Sequence, residues 1–183
     1  MESFFIDDNI ELKPIDKGDA SPIFETIDNE RDYLRKWLPF VDKTFSYSDS
    51  LYFVNSILSI PEEYREPIFS IYYEHQFAGI IGFRGTDITN HKTEIGYWLS
   101  QKYQKKGIIT RSIPVLLEYV FNPFTWNMNR VQIRCAVENY RSSAIPEKLG
   151  FRMEGIERAG ELLVDDEYTD LAVYSLLREE FSQ

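Results

Sequence analysis

The segment Gln104-Lys105-Lys106-Gly107-Ile108-Ile109-Thr110 joins a run of β-forming residues to a run of helical periodicity. The first amides of a helix have no internal acceptor and carry partial positive charge. Gly107 lets the backbone come close to an anion, and Lys105 and Lys106 add full charges. The chemistry that suits such a turn is pyrophosphate binding, each charge-assisted hydrogen bond contributing about 1.5–3 kcal/mol. A basic strand-to-helix turn is equally an ordinary solvated loop, so the turn alone decides nothing. The Gly-rich Lys-Ser/Thr phosphate loop is missing, and so is a Gly-x-Gly-x-x-Gly after a strand. Kinase, GTPase and dinucleotide oxidoreductase chemistry are therefore disfavoured.

Other reactive side chains are few. Cys135 is the single cysteine, which excludes an intrachain disulfide and a cysteine metal cluster. It falls on the apolar face of an alternating segment and reads as core. His75 and His91 both sit in turn or loop sequence, with no Ser–His–Asp arrangement visible. No metal site is expected.

These residues need elements to position them. Ile10 and Leu12 alternate with polar residues as a short strand, and Ser21-Pro22 marks a helix start. Helical sequence continues through Leu34–Leu38 and stops before Pro39; a further helix is expected over Ser50–Ile60. Ile68–Tyr73, Phe77–Thr86 and Thr93–Leu99 read as three consecutive antiparallel strands, with Gly79, Gly82 and Gly85 as bulge positions. Ile109, Ile113, Leu116, Leu117, Val120 and Phe121 recur at helical spacing, with Pro114 expected to kink that helix or loosen its first turns. Val131–Val137 alternates as a strand, Ser142–Leu149 is a short helix ended by Gly150, and Phe151–Leu163 and Tyr168–Leu177 flank an acidic turn at Asp165-Asp166. The order predicts a mixed α/β (α+β) layer with a mostly antiparallel sheet of six to seven strands flanked by helices.

The 183 residues favour a single domain over 1–183. A composition 43% apolar and 27% charged is that of a soluble globular chain. The net charge of −10 disfavours nucleic acid and anionic membranes as partners, and it either steers a cationic acceptor or simply keeps the chain soluble. The opening Met1–Asp8 has neither a basic stretch nor a long apolar one, so no leader is expected and the cytoplasm is the default location. No feature of the sequence chooses between a monomer and a dimer.

Three segments together resemble the GNAT N-acetyltransferase superfamily, and its RimJ/RimL-type branch in particular. They are Glu94-Ile95-Gly96-Tyr97-Trp98-Leu99, Gln104-Lys105-Lys106-Gly107, and Glu138-Asn139-x-x-Ser142 followed by Glu147-Lys148-Leu149-Gly150-Phe151. Glu154-Gly155-x-x-Arg158 and Leu34-Arg35-Lys36-Trp37-Leu38-Pro39 also resemble that branch. The resemblance implies a splayed sheet whose strands at Thr93–Leu99 and Val131–Val137 part at their ends, and acetyl-CoA as co-substrate. It further implies that Trp98, Leu99 and Ser100 pair with the pantetheine amides and that Asn139 contacts the same arm or the thioester region. Gln104, Lys105, Lys106, Gly107, Ile108, Ile109 and Thr110 would hold the pyrophosphate. The sequence departs from the branch at Ile109, where Gly or Ala is usual, and at Lys105, where Gly is frequent. Pro146 stands where many members carry a tyrosine general acid.

The implied reaction is direct transfer of acetyl to a primary amine, without an acyl-enzyme. An α-amine of pKa near 8 loses its proton at pH 7 for about 1.4 kcal/mol, whereas a lysine near 10.4 needs about 4.6 kcal/mol. That difference favours N-terminal α-amines, those of ribosomal proteins in the resembling branch; polyamines and other small amines are the alternative. Glu94 is the first candidate for the base, or else a strand anchor. Ser142 is the candidate acid for the departing thiolate, or else a helix N-cap. Asn139 is a cofactor contact or a turn residue, and Trp37 lines the acceptor side or sits in the core. A non-catalytic acetyl-CoA-binding sensor is the competing class.

Overall fold

A computed structural model describes residues 2–181; Met1, part of the opening segment considered above, lies outside them. The strands are β1 (Phe4–Phe5), β2 (Ile10–Pro14), β3 (Ile68–Tyr73), β4 (Gln76–Asp87), β5 (Lys92–Leu99), β6 (Arg130–Ala136), β7 (Arg152–Leu162) and β8 (Tyr168–Leu177). The helices are α1 (Ala20–Asn29), α2 (Arg31–Leu34), α3 (Tyr47–Leu58), α4 (Ile108–Phe121), α5 (Tyr140–Lys148) and α6 (Arg178–Phe181). The strands follow the order β1-β2-β3-β4-β5-β6-β8-β7 in one sheet. That is eight strands among the described residues rather than six or seven. The extra one is β1, a two-residue ladder against β2 that is too short to show a period.

Contacts group the chain into two compact units: residues up to Gly82 with Tyr97–Lys106 and Leu163–Asp166, and Phe83–Gly96 with Gly107–Leu162 and Glu167 onward. In the first unit, β2 and β3 pair antiparallel over five residues, and β3 and β4 follow. Ile15, Ile23, Ile27, Leu34, Val41, Val54 and Ile57 form its core with Ile80, and Trp98 packs against them. Capping sets the helix starts. Ser46 and Asp49 cap α3 reciprocally, so it begins at Tyr47, three residues before the expected Ser50. The helix expected through Leu38 ends at Leu34, followed by one further turn in which Leu38 N donates to the Leu34 carbonyl (3.1 Å).

In the second unit, α4 buries Ile108, Ile109, Ile113, Leu116, Leu117 and Val120 along one face. It spans Ile108–Phe121 as one helix with Pro114 inside it, the position where a kink or looser first turns were expected. On β6 the buried Val131, Ile133 and Cys135 alternate with Gln132 and Arg134, which face the other way. Strand β6 pairs antiparallel with β8 over seven residues. Against β5 it pairs parallel, and only over Lys92–Glu94 with Arg130–Gln132 among the described residues.

The register of β3 and β4 shifts once, between Ile71 and Tyr72, because Ala78 is an extra residue beside Gly79. This places one of the three glycine bulges expected. A Cβ at Gly79 would collide with the Trp98 carbonyl oxygen and lie 2.9 Å from Leu99 Cα. Glycine is therefore what lets β4 pass close beneath the end of β5. Gly79→Ala should lower the unfolding free energy by about 1–3 kcal/mol in urea titration, the usual cost of forced overpacking. Gly155→Ala, whose Cβ meets nothing within 4 Å, should stay within about 0.5 kcal/mol of wild type.

Candidate active site

The turn after β5 is built to leave amides bare. Lys105 (φ +61°) and Gly107 (φ +70°) both adopt the left-handed region, and α4 starts immediately afterwards. No side chain caps α4; its first internal bond is Arg111 N to the Gly107 carbonyl, 3.0 Å. The amides of Ile108, Ile109 and Thr110 thus point out of the helix start without an intrahelical acceptor. The side chains of Ile108 and Ile109 are buried, so the isoleucine at 109 serves the core and only its amide can meet a ligand. A Cβ at Gly107 would find nothing nearer than Arg111 Nε at 3.8 Å, which leaves that side open.

Residues before the turn are held in the first unit. Glu30, at the end of α1, accepts from Ser100 Oγ (2.8 Å) and from Gln101 N (2.7 Å). The Gln104 side-chain amide donates to the Tyr33 hydroxyl. Lys106 Nζ lies 4.8 Å from the centre of the Tyr73 ring. Trp98 and Leu99 are half-buried, Trp98 meeting Phe77 edge-on at 5.9 Å. Trp37 is half-buried beneath Lys36 Nζ, 4.8 Å from its ring.

In the second unit Glu94 is buried and fully engaged. Its Oε1 accepts from Arg84 Nε (2.6 Å) and Arg84 Nη2, and its Oε2 from Gln132 Nε2 (2.9 Å) and Arg134 Nε (2.8 Å). Four donors match the roughly four acceptor sites of a carboxylate. Gly96, two residues on, lets the Arg84 side chain lie across β5, its Nε 3.6 Å from where a Cβ would be. Arg134 Nη1 continues to Glu157 at 3.0 Å.

Glu161 belongs to the same cluster, with Arg84, Arg134 and Glu94 in electrostatic reach. Burial raises its carboxyl above the ordinary glutamate range, and the two arginines oppose that rise. The β7–β8 register shifts between Glu157 and Glu161, with Ala159 at φ +49° and its amide on Asp170 Oδ1 at 2.8 Å. A bulge of this kind re-aims the side chains beside it. The sequence reading passed over Arg84, Arg134 and Glu161, because their partners lie on four strands far apart in the chain. The one local signal was Gly160 inside a strand pattern.

The start of α5 also differs from expectation. It begins at Tyr140 with Asn139 as N-cap, whose side chain accepts from Ser142 N at 3.3 Å. Asn139, not Ser142, fills the cap. The Ser142 hydroxyl instead hydrogen-bonds the Cys135 sulfur. Burial pushes the Cys135 thiol up to about 11, with nearby Glu147 adding to the rise and the Ser142 bond opposing it. Tyr174 Oη donates to Glu147 at 2.8 Å. His91 Nδ1 meets the Asn127 carbonyl at 2.9 Å, and His75 sits in the β3–β4 turn. Among the described residues no group of three His, Cys, Asp or Glu side chains could hold a metal, and no helix is long and apolar enough to cross a membrane.

A family model described as an acetyltransferase (GNAT) domain matches residues 9–152. The chain belongs to the GNAT acetyltransferase family. It is similar to YdaF of Bacillus subtilis (strain 168), provisionally named a ribosomal N-acetyltransferase: 32% identical, covering 96% of this chain and 95% of that one. The fold matches the structure of RimL, a ribosomal L7/L12 alpha-N-protein acetyltransferase in complex with coenzyme A, with a TM-score of 0.90 at 21% identity over 98% of this chain and 99% of that one. It also matches the self-immunity acetyltransferase MccE in complex with acetyl-CoA and AMP, with a TM-score of 0.87 at 27% identity over 94% of each chain. This GNAT member is thus an acyltransferase whose relatives acetylate nitrogen.

A buried thiol with a raised pKa is a poor nucleophile. With a thiol pKa near 11, only about 0.1% of Cys135 is thiolate at pH 8, against about a quarter for an ordinary free cysteine. Iodoacetamide should therefore label Cys135 far more slowly than a cysteine peptide, and Cys135→Ala should still transfer acetyl. Loss of turnover in that variant, with stability unchanged, would contradict the assignment of Cys135 to the core.

Proposed function

We propose that this enzyme transfers acetyl from acetyl-CoA directly to the N-terminal α-amine of a protein, a ribosomal protein being the acceptor class that its relatives suggest. The observation that carries the reading is the uncapped start of α4 behind Gly107. An uncapped helix start with two adjacent lysines suits a pyrophosphate. In this reading the amides from Lys105 through Thr110 take the pyrophosphate, with Gln104 supporting the turn. The backbone of Trp98–Ser100 takes the pantetheine amides, and Asn139 contacts the pantetheine arm or the thioester region. Trp37 faces the acceptor. The acceptor and acetyl-CoA would meet in the cytoplasm.

For the proton transfers, Ser142 remains the acid for the departing thiolate. It lies in the first turn of α5 with its hydroxyl already aimed at a sulfur, that of Cys135. The base must have lone pairs to spare. Glu94, the first candidate from sequence, gives all of its acceptor positions to Arg84, Gln132 and Arg134, so its better-supported role is as an anchor. Glu161, half-buried and with its carboxyl raised above the ordinary glutamate range by burial, is the carboxylate in the cluster best suited to take up a proton.

A screen of N-terminal peptides, polyamines and aminoglycosides with acetyl-CoA, read by thiol release, should find peptides preferred; exclusive use of polyamines would move the acceptor class. A base works only when deprotonated, so kcat/KM should rise with pH through the Glu161 carboxyl, at a pH above the usual glutamate value. Glu161→Gln should remove that limb and lower kcat/KM by about 10²–10⁴ while acetyl-CoA still binds. An unaltered pH profile in that variant would remove Glu161 from the scheme.

A further inference from the structure

The guanidiniums around Glu94 are only partly used. Arg84 commits Nε and Nη2 to Glu94, and Arg134 commits Nε to Glu94 and Nη1 to Glu157. Arg84 Nη1 and Arg134 Nη2 have no hydrogen-bond partner among the described residues. The Arg84 side chain is 51% exposed and that of Arg134 28%, while the Glu94 side chain between them is 5% exposed. Both Nε groups bond the same carboxylate, Arg84 on Oε1 and Arg134 on Oε2, so one buried acid holds both guanidiniums. A guanidinium held by one edge on a buried acid is ordered before a ligand arrives, and little side-chain entropy is lost when its remaining donors are used.

We infer that Arg84 and Arg134 form a receptor for a carboxylate carried by the acceptor, placed so that an acidic side chain near the peptide's N-terminus is read while its amine lies toward Glu161. The inference rests on the N-terminal reading above and narrows it to peptides with Asp or Glu among their first residues. The pattern on this face fits both ends of such a substrate. Glu161 and Glu157 supply negative charge for the amine, and the arginine pair supplies donors for the acid. Glu94 neutralises the arginines' mutual repulsion without occupying their outer edges. Such a receptor also selects against acceptors that bring only positive charge, since a polyamine would leave the outer guanidinium edges unpaired and facing a cation.

The test compares two peptides that differ only in Glu or Gln at the second position, acetylated by the wild-type enzyme and by Arg84→Gln. Wild type should favour the Glu peptide by about tenfold or more in kcat/KM, the usual scale for a charge-assisted bidentate contact. The preference should shrink as salt rises. Arg84→Gln, which can still donate an amide hydrogen to Glu94, should bring the ratio close to one. Should that variant fail to fold, the wild-type ratio and its salt dependence decide alone. Equal rates on the two peptides, or a preference for Gln, would overturn the carboxylate receptor while leaving N-terminal acetylation standing. Failure of wild type to acetylate any peptide, with polyamines accepted, would overturn the N-terminal reading and this inference together.

Discussion

The carboxylate of Glu94 holds the second unit's polar face together. Its backbone pairs with Gln132 at the end of the short parallel ladder. Its side chain then takes bonds from Gln132 and Arg134 on β6 and from Arg84 on β4. Where the backbone ladder ends, side-chain hydrogen bonds take over and fix three strands through one acid. A buried carboxylate is costly unless every lone pair is satisfied, and here the four donors supply that. The same bonds order Arg84, Arg134 and, through Arg134, Glu157, so the anchor and the candidate chemistry share one network.

This arrangement explains how a parallel pair can be both firm and short. On the same face of β6, Arg130 ties the strand to β7 instead, reaching Glu154 with both terminal nitrogens at 2.6 and 2.7 Å. That ion pair, with the bond from Ser175 Oγ, pulls the Glu154 carboxyl down to about 2. The opposite side of β6 is apolar, with Val131 and Ile133 buried. Strand β6 is therefore fixed on both faces by different forces, burial on one and charge pairing on the other.

Much of the fold was legible because its signals are local. The period of two over Val131–Cys135, the helical spacing from Ile109 to Phe121 and the glycine at 107 each arise within a few residues, and each element formed. Boundaries failed where a cap outranked periodicity: Ser46–Asp49 advanced α3, and Asn139 took the cap expected of Ser142. Pro114 lies inside α4, whose row of buried residues continues on both sides of it. The site was legible only in part. The Gly107 turn is contiguous and could be read directly. The Glu94 cluster draws on β4, β5, β6 and β7, so the saturation of Glu94, and the resulting claim of Glu161 to the base's role, depend on a register that no local pattern reveals.

If Glu94 is an anchor before it is anything else, the equilibrium unfolding of Glu94→Gln must show it. The amide keeps the shape but cannot accept from two guanidiniums on both sides. The expected loss is about 2–4 kcal/mol, below the full cost of breaking a buried pair because Arg84 is half in solvent. Wild-type stability together with a collapse in turnover would contradict it, and would return Glu94 to the role of base.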